Sequence, residues 1–403
     1  MTDERAPEVP TGIELTALDP VFRADPYPVL AHLRRREPVH YDRVLNRWVL
    51  SRPQDIDRVL RDRTMSSDPR QAREGTYMHI FNRFRTFSML FQDPPVHTRL
   101  RALVSKAFTP RAVERLAPRI RQISHDLLAG VAEPARFDVI ESFASPLPVI
   151  VIAEMLGVDP ADRQDFKRWS DWEAMGLNPL LTPDELAAAG QAGDELRAYL
   201  QRTIVQRRAE PRDDLISGLI AAEEAGDHLT DSEIVTMCEL LLAAGNVTTT
   251  DLIGNGLWLL LRHPDQLGRL RAQPSLMANA VEEILRFESS VVQTGRIAMD
   301  DVEIGGCPIR RGESILTLLA GANRDPDEYR EPDRFDITRP DTQHRSFGGG
   351  AHFCLGAPLA RLETQIAIGT FIERFPHVRL ADEPLQWRAL PSFRGLTQLW
   401  VNA

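Results

Sequence analysis

The chain has 403 residues and a formal net charge of −10, which argues against general binding to nucleic acid or to an anionic membrane surface. Apolar residues make up 43% and charged residues 26%, the balance of a soluble globular protein with a large core. Three cysteines, Cys238, Cys307 and Cys354, are too few for a disulfide framework and fit a reducing, cytoplasmic setting.

Residues 1–18 are expected to be disordered or extended, because Asp3, Glu4, Pro7 and Pro10 break any pattern near the start. The same stretch has neither the basic segment nor the apolar run of a targeting signal. Residues 19–403 are expected to form a single catalytic domain, since no linker rich in Gly and Pro divides them. Apolar residues at helical spacing predict helices over 25–36, 52–61, 95–108, 111–129, 142–156, 183–208 and 230–262. Further helices are expected over 263–271, 275–287 and 357–375. Start signals support several of them: Thr109-Pro110, Thr182-Pro183 with Glu185, and the capping box Thr230 with Glu233. Strands are few and short. One hairpin is predicted from 40–42 and 48–50, another region from 296–304, 307–309 and 314–319, and a last pair from 378–380 and 396–401. The fold class is therefore mainly α with a small β region split between the two ends. The most apolar long stretch, 234–261, is interrupted by Glu239, Asn246, Thr248, Thr249, Thr250, Asp251 and Asn255, so it does not read as a membrane span.

The most informative segment is Ser346-Phe347-Gly348-Gly349-Gly350-Ala351-His352-Phe353-Cys354-Leu355-Gly356. It places a cysteine just before a helix N-terminus, where unpaired N–H groups and the helix dipole favour a thiolate. The glycines let the backbone fold tightly and approach a flat ligand. Phe347, Gly350, Cys354 and Gly356 resemble the haem-binding signature of the cytochrome P450 family, Phe-x-x-Gly-x-x-x-Cys-x-Gly. The resemblance implies that family's fold, with a long central helix over the haem. It also implies haem b as cofactor, with Cys354 as the axial metal ligand.

Other segments are similar to the family in the same order. Glu283-Ile284-Leu285-Arg286 matches its Glu-x-x-Arg. Arg334 follows where the family places a second arginine, so Glu283, Arg286 and Arg334 are expected to form a structural charge cluster. His97 and Arg101 match a His-x-x-x-Arg pair, and with Arg296 and His352 they are implied propionate donors. On the central helix, Ala244-Gly245-Asn246-Val247-Thr248-Thr249 resembles Ala/Gly-Gly-x-Asp/Glu-Thr-Thr. Ala244 and Gly245 would leave room beside the iron, and Thr248, with Asn246 and Thr249, would serve oxygen activation. The departure is Val247, which stands where the family has an acid and cannot carry a proton. By position, the substrate pocket is expected from Phe87, Leu240, Ala243, Ala244, Val291, Val292 and Phe393, with Arg83 and Arg85 read as solvated loop charges.

The resemblance implies a monooxygenase that inserts one atom of O2 into a hydrophobic small molecule, by hydroxylation or epoxidation. Electrons would come from a ferredoxin and its reductase, docking on Arg99, Lys106, Arg111, Arg115, Arg345 and Arg361. The protein is expected to be a monomer. The alternatives are a haem-thiolate reductase or peroxygenase, or a haem- or substrate-binding module without turnover.

Overall fold

The computed structural model describes residues 9–83, 88–176, 178, 180–224 and 227–403. Its axis is one helix, Asp231–Arg262, about 48 Å long at 1.5 Å per residue. It starts where Thr230 and Glu233 cap each other: the Glu233 N–H donates to Thr230 Oγ at 3.3 Å and the Thr230 N–H to the Glu233 carboxylate at 2.8 Å. The helix is buried on nearly all sides, so it carries apolar residues all round instead of on one stripe. Packed against it are Pro146–Leu156, Arg163–Gly176, Pro183–Ala209, Met277–Phe287 and Ala357–Arg374. Together these helices enclose the main apolar core. Among the described residues, no helix is long and apolar enough to cross a membrane.

The β region lies beside this bundle. A five-stranded sheet runs in the order Val39–Asp42, Arg47–Leu50, Ser314–Thr317, Thr294–Ala298, Met65–Ser66. Its Ser314–Thr317 strand pairs in parallel with Arg47–Leu50 and antiparallel with Thr294–Ala298, so one sheet ties the first part of the chain to the last. A smaller apolar cluster lies on each of its faces: Val49, Ile297 and Leu316 belong to one, Leu50, Ala298 and Ile315 to the other. At the far end, Trp400–Asn402 pairs with both Arg379–Leu380 and Arg136–Asp138, and Gln386–Trp387 with Leu396–Gln398.

Most predicted elements are present, some of them divided: 95–108 becomes Val96–Ser105 and the 3-10 turn Lys106–Phe108, 111–129 becomes Pro110–Glu114 and Ala117–Ala129, and 142–156 becomes a short turn followed by Pro146–Leu156. Helices Arg163–Gly176 and Leu215–Ala221 and strand Arg136–Asp138 were not expected. Nor are residues 9–18 extended. Gly12–Leu15 form a 3-10 turn, Leu15 is fully buried, and Thr11 Oγ and the Gly12 N–H both donate to Asp42 at 2.7 and 3.0 Å. Residues 1–8 lie outside the described residues.

Candidate functional site

The glycine-rich loop precedes Ala357–Arg374 and turns on left-handed residues Gly348 (φ +69) and Gly350 (φ +64). At Gly350 a Cβ would stand 2.1 Å from the Leu60 carbonyl oxygen, so only glycine fits there. Gly350 therefore seats the loop on its neighbour and does not line the cavity. The Cys354 N–H donates to the Phe347 carbonyl at 3.0 Å, which closes the loop around the sulfur. Burial pushes the Cys354 thiol up, while the N–H groups of Gly356 and Ala357 and the charges of Arg101 and Arg361 pull it down. Those donors are the first orphans of a helix N-terminus and favour a thiolate.

Above the sulfur is a cavity of ≈ 370 Å³, a size suited to a small-molecule site. Cys354, Phe347, His352 and Gly356 form its floor, and Leu240, Ala244, Gly245, Thr248 and Thr249 of the central helix face it from the other side. The Thr248 hydroxyl donates to the Ala244 carbonyl at 2.6 Å. His97, Arg101 and Arg296 line the same space. These basic groups crowd one another. The rings of His97 and His352 are 4.1 Å apart. Burial first, and then Arg296, His97 and Arg101, bring His352 down to about 3. Burial lowers His97 and Arg101 and takes Arg296 to about 10. Both His97 nitrogens are buried without a partner. Among the described residues, Asp93 is the acid that offsets His97 and Arg296, and it is already bound to Ser66 and to the Ser67 N–H. The set calls for a ligand that brings its own carboxylates.

The comparisons with known proteins agree with this geometry. Residues 170–386 match the family model for cytochrome P450. The chain is 43% identical to cytochrome P450 107B1 of Saccharopolyspora erythraea, over 98% of both chains. It is 41% identical to the cytochrome P450 monooxygenase PikC of Streptomyces venezuelae, over 98% of this chain and 94% of that one. The chain belongs to the cytochrome P450 family of monooxygenases. Its structure also superposes with TM-score 0.89 on P450BioI solved with an acyl carrier protein bearing hexadec-9Z-enoic acid, at 38% identity over 96% of this chain and all of that one.

A haem-thiolate cofactor goes with the family, and the residues present fit it: a sulfur under helix N–H donors, a largely apolar cavity, and a set of basic groups at one edge with little acid to match them. Several expected P450 positions need correction. Asn246 points away from the cavity, and its amide donates to Ser170 Oγ at 2.7 Å. Val247 is packed with Ala174, Leu390 and Phe393. Val291 and Phe393 line the cavity, but Ala243 and Val292 do not; Val292 belongs to the core under the sheet. Phe87 and Arg85 fall outside the described residues. Arg83 is no solvated charge, because it donates to the carbonyls of Gly176 and Asn178 at 3.2 and 2.6 Å.

The charge cluster also changes membership. Arg286 holds Glu283 with two bonds of 2.7 and 2.8 Å, and both side chains are fully buried. The third member is Arg339, 3.3 Å from Glu283. The Arg334 side chain is 55% exposed and pairs with Glu331 and Asp336; only its backbone carbonyl reaches the cluster. Pro148, Ile152 and Glu363 line the cavity unforeseen. Glu363 is buried, its Oε2 has no partner, and burial raises it to about 8. A lone acid on an otherwise apolar helix face was the available signal.

Proposed function

We propose that this cytochrome P450 holds haem b with the Cys354 thiolate as axial ligand, and inserts one atom of O2 into a hydrophobic small molecule. The observation that carries the reading is the convergence of His97, Arg101, Arg296 and His352 on one edge of the cavity that Cys354 closes below. His97, Arg101, Arg296 and His352 would bind the two propionates and gain the anions they lack. The Gly356 and Ala357 N–H groups would hold the sulfur ionised. When bound, the haem supplies the activation of dioxygen. Ala244 and Gly245 keep the opposite wall open, Thr248 offers a hydroxyl there, and Leu240, Val291 and Phe393 present an apolar surface to substrate. A carrier-tethered substrate is compatible with the relative solved with an acyl carrier protein.

The electron donor would be a ferredoxin reduced by its reductase, and the enzyme a cytoplasmic monomer. The docking patch is smaller than the sequence suggests. Arg99 is tied to Asp227 and Glu233, Arg345 to Asp57 and Glu328, and Arg361 to Glu282. Arg111 and Arg115 are exposed and would carry most of the attraction for an acidic partner. Reversing both should slow electron transfer severalfold at low salt and much less at high salt. An unchanged rate would remove the patch.

Screening hydrophobic compounds by the shift of the ferric haem spectrum identifies a ligand. Turnover of that ligand under isotope-labelled dioxygen should give a product with one labelled oxygen. A reduced product without label would establish the reductase alternative.

A further inference from the structure

The central helix carries a carboxylate that the site described above leaves unused. Asp251 stands four residues after Val247 and three after Thr248, so the helix turns it to the side they share. It is fully buried. Its Oδ1 accepts from the Arg388 guanidinium at 3.0 Å, and its Oδ2 has no partner. Arg388 Nε is buried and unpartnered too, as is Asn255 Oδ1 one helical turn beyond. The strand pair Gln386–Trp387 and Leu396–Gln398 brings the arginine here, since the Arg388 N–H donates to the Gly395 carbonyl at 2.9 Å. Gly395 leaves the room that the acid needs: a Cβ there would lie 2.0 Å from the Asp251 carboxyl carbon.

Three unpartnered polar atoms grouped in this way mark a place for ordered water. Arg388 keeps 27% of its side chain exposed and Asp251 none, so the pair leads from solvent to the helix. Thr248 is on the cavity side of the same helix. Residues three apart have Cβ atoms about 5–6 Å from each other, a gap that one water bridges. Val247, sealed among apolar side chains, offers no competing route.

We propose that Asp251, paired with Arg388, is the proton-relay carboxyl group that serves Thr248 in this chain. This rests on the monooxygenase reading above. The acid gives its proton to a water bonded to Thr248, and the threonine hydroxyl passes its own proton into the cavity. The carboxylate left behind takes a proton from solvent on the Arg388 side. Electrons come from the redox partner. Full reduction of dioxygen takes four electrons and four protons and gives two waters; interrupted reduction takes two of each and gives hydrogen peroxide. Asp251 acts through Thr248 and is a positioning residue. Burial raises its carboxyl to about 6 against the pull of Arg388, so the proton-bearing form is available near neutral pH. Among the described residues, Arg388 is the charge that acts on it from the strand pair. Arg394 and Glu288, further along, are bound to each other.

The test is substrate-free turnover of the holoenzyme with dioxygen, a plant-type ferredoxin and its reductase. Peroxide formed per electron pair is measured in light and heavy water. In Asp251→Asn, peroxide yield should rise severalfold and the solvent isotope effect should increase. Unchanged values would overturn the relay. Infrared difference spectra of wild type against this variant should show a carboxylic acid band titrating near pH 6. In Arg388→Gln that midpoint should move up by about one unit; an unmoved midpoint also overturns the proposal, even if Asp251→Asn does not fold. Thr248→Ala in the same assay separates the two readings. If it raises peroxide and Asp251→Asn does not, only the relay falls. If neither does, the oxygen-activating role of Thr248 falls with it.

Discussion

Glu283 and Arg286 have no contact with solvent, so removing either leaves a charge inside the fold. Glu283→Gln is expected to destabilise the protein by about 3–5 kcal/mol, measured by urea unfolding. Arg334→Ala should stay within about 0.5 kcal/mol, while Arg339→Ala should be clearly felt; equal losses at 334 and 339 would contradict the assignment. Motif spacing pointed at Arg334 because both arginines sit in an irregular loop, where no periodicity tells which side chain turns inward. On the central helix the opposite holds, and periodicity was available. Asn246 is two residues, or about 200°, from Thr248, so a helix that aims Thr248 at the cavity must aim Asn246 away. The loop cysteine was legible because its neighbours, glycines and a helix start, create its chemistry locally.

At the scale of elements, Val247 tests how closed the seam between the central helix and Phe393 is. Val247→Asp buries a carboxylate among Ala174, Leu390 and Phe393. It should destabilise the protein by at least about 2 kcal/mol, seen as a lowered unfolding midpoint, and should not improve turnover. Across another seam, Glu173 of Arg163–Gly176 is raised to about 7 by burial and by Glu239, against Arg197. Its folded value lies above its unfolded one, so the folded state is favoured at low pH and that advantage is lost as pH rises through about 7. Glu173→Gln should therefore raise the unfolding midpoint at pH above 7 and change it little near pH 4. The helix that bears Glu173 was illegible in the sequence because its buried Phe166, Trp169 and Ala174 are thinly spread among charges. Strand Arg136–Asp138 was missed for a different reason: it is short, and its partner Trp400–Asn402 lies at the other end of the chain.

For the molecule as a whole, the helices and the cavity have different origins in the sequence. Most of the long helices announce themselves through local spacing and caps, whereas the cavity depends on the sheet that joins residues 39–66 to residues 294–317 and on the loop that rests Gly350 against Leu60. The basic groups at the cavity edge come from three separate segments, and only the fold shows how little acid accompanies them. The central claim is that this assembled space holds a haem bound through Cys354. The absorption spectrum of the reduced protein with carbon monoxide tests it most directly. Wild type should show the red-shifted Soret band of a thiolate-ligated haem, and Cys354→Ser should lose that band, while a double Ala replacement of Cys238 and Cys307 keeps it. A Cys354→Ser protein with an unchanged band would contradict the account.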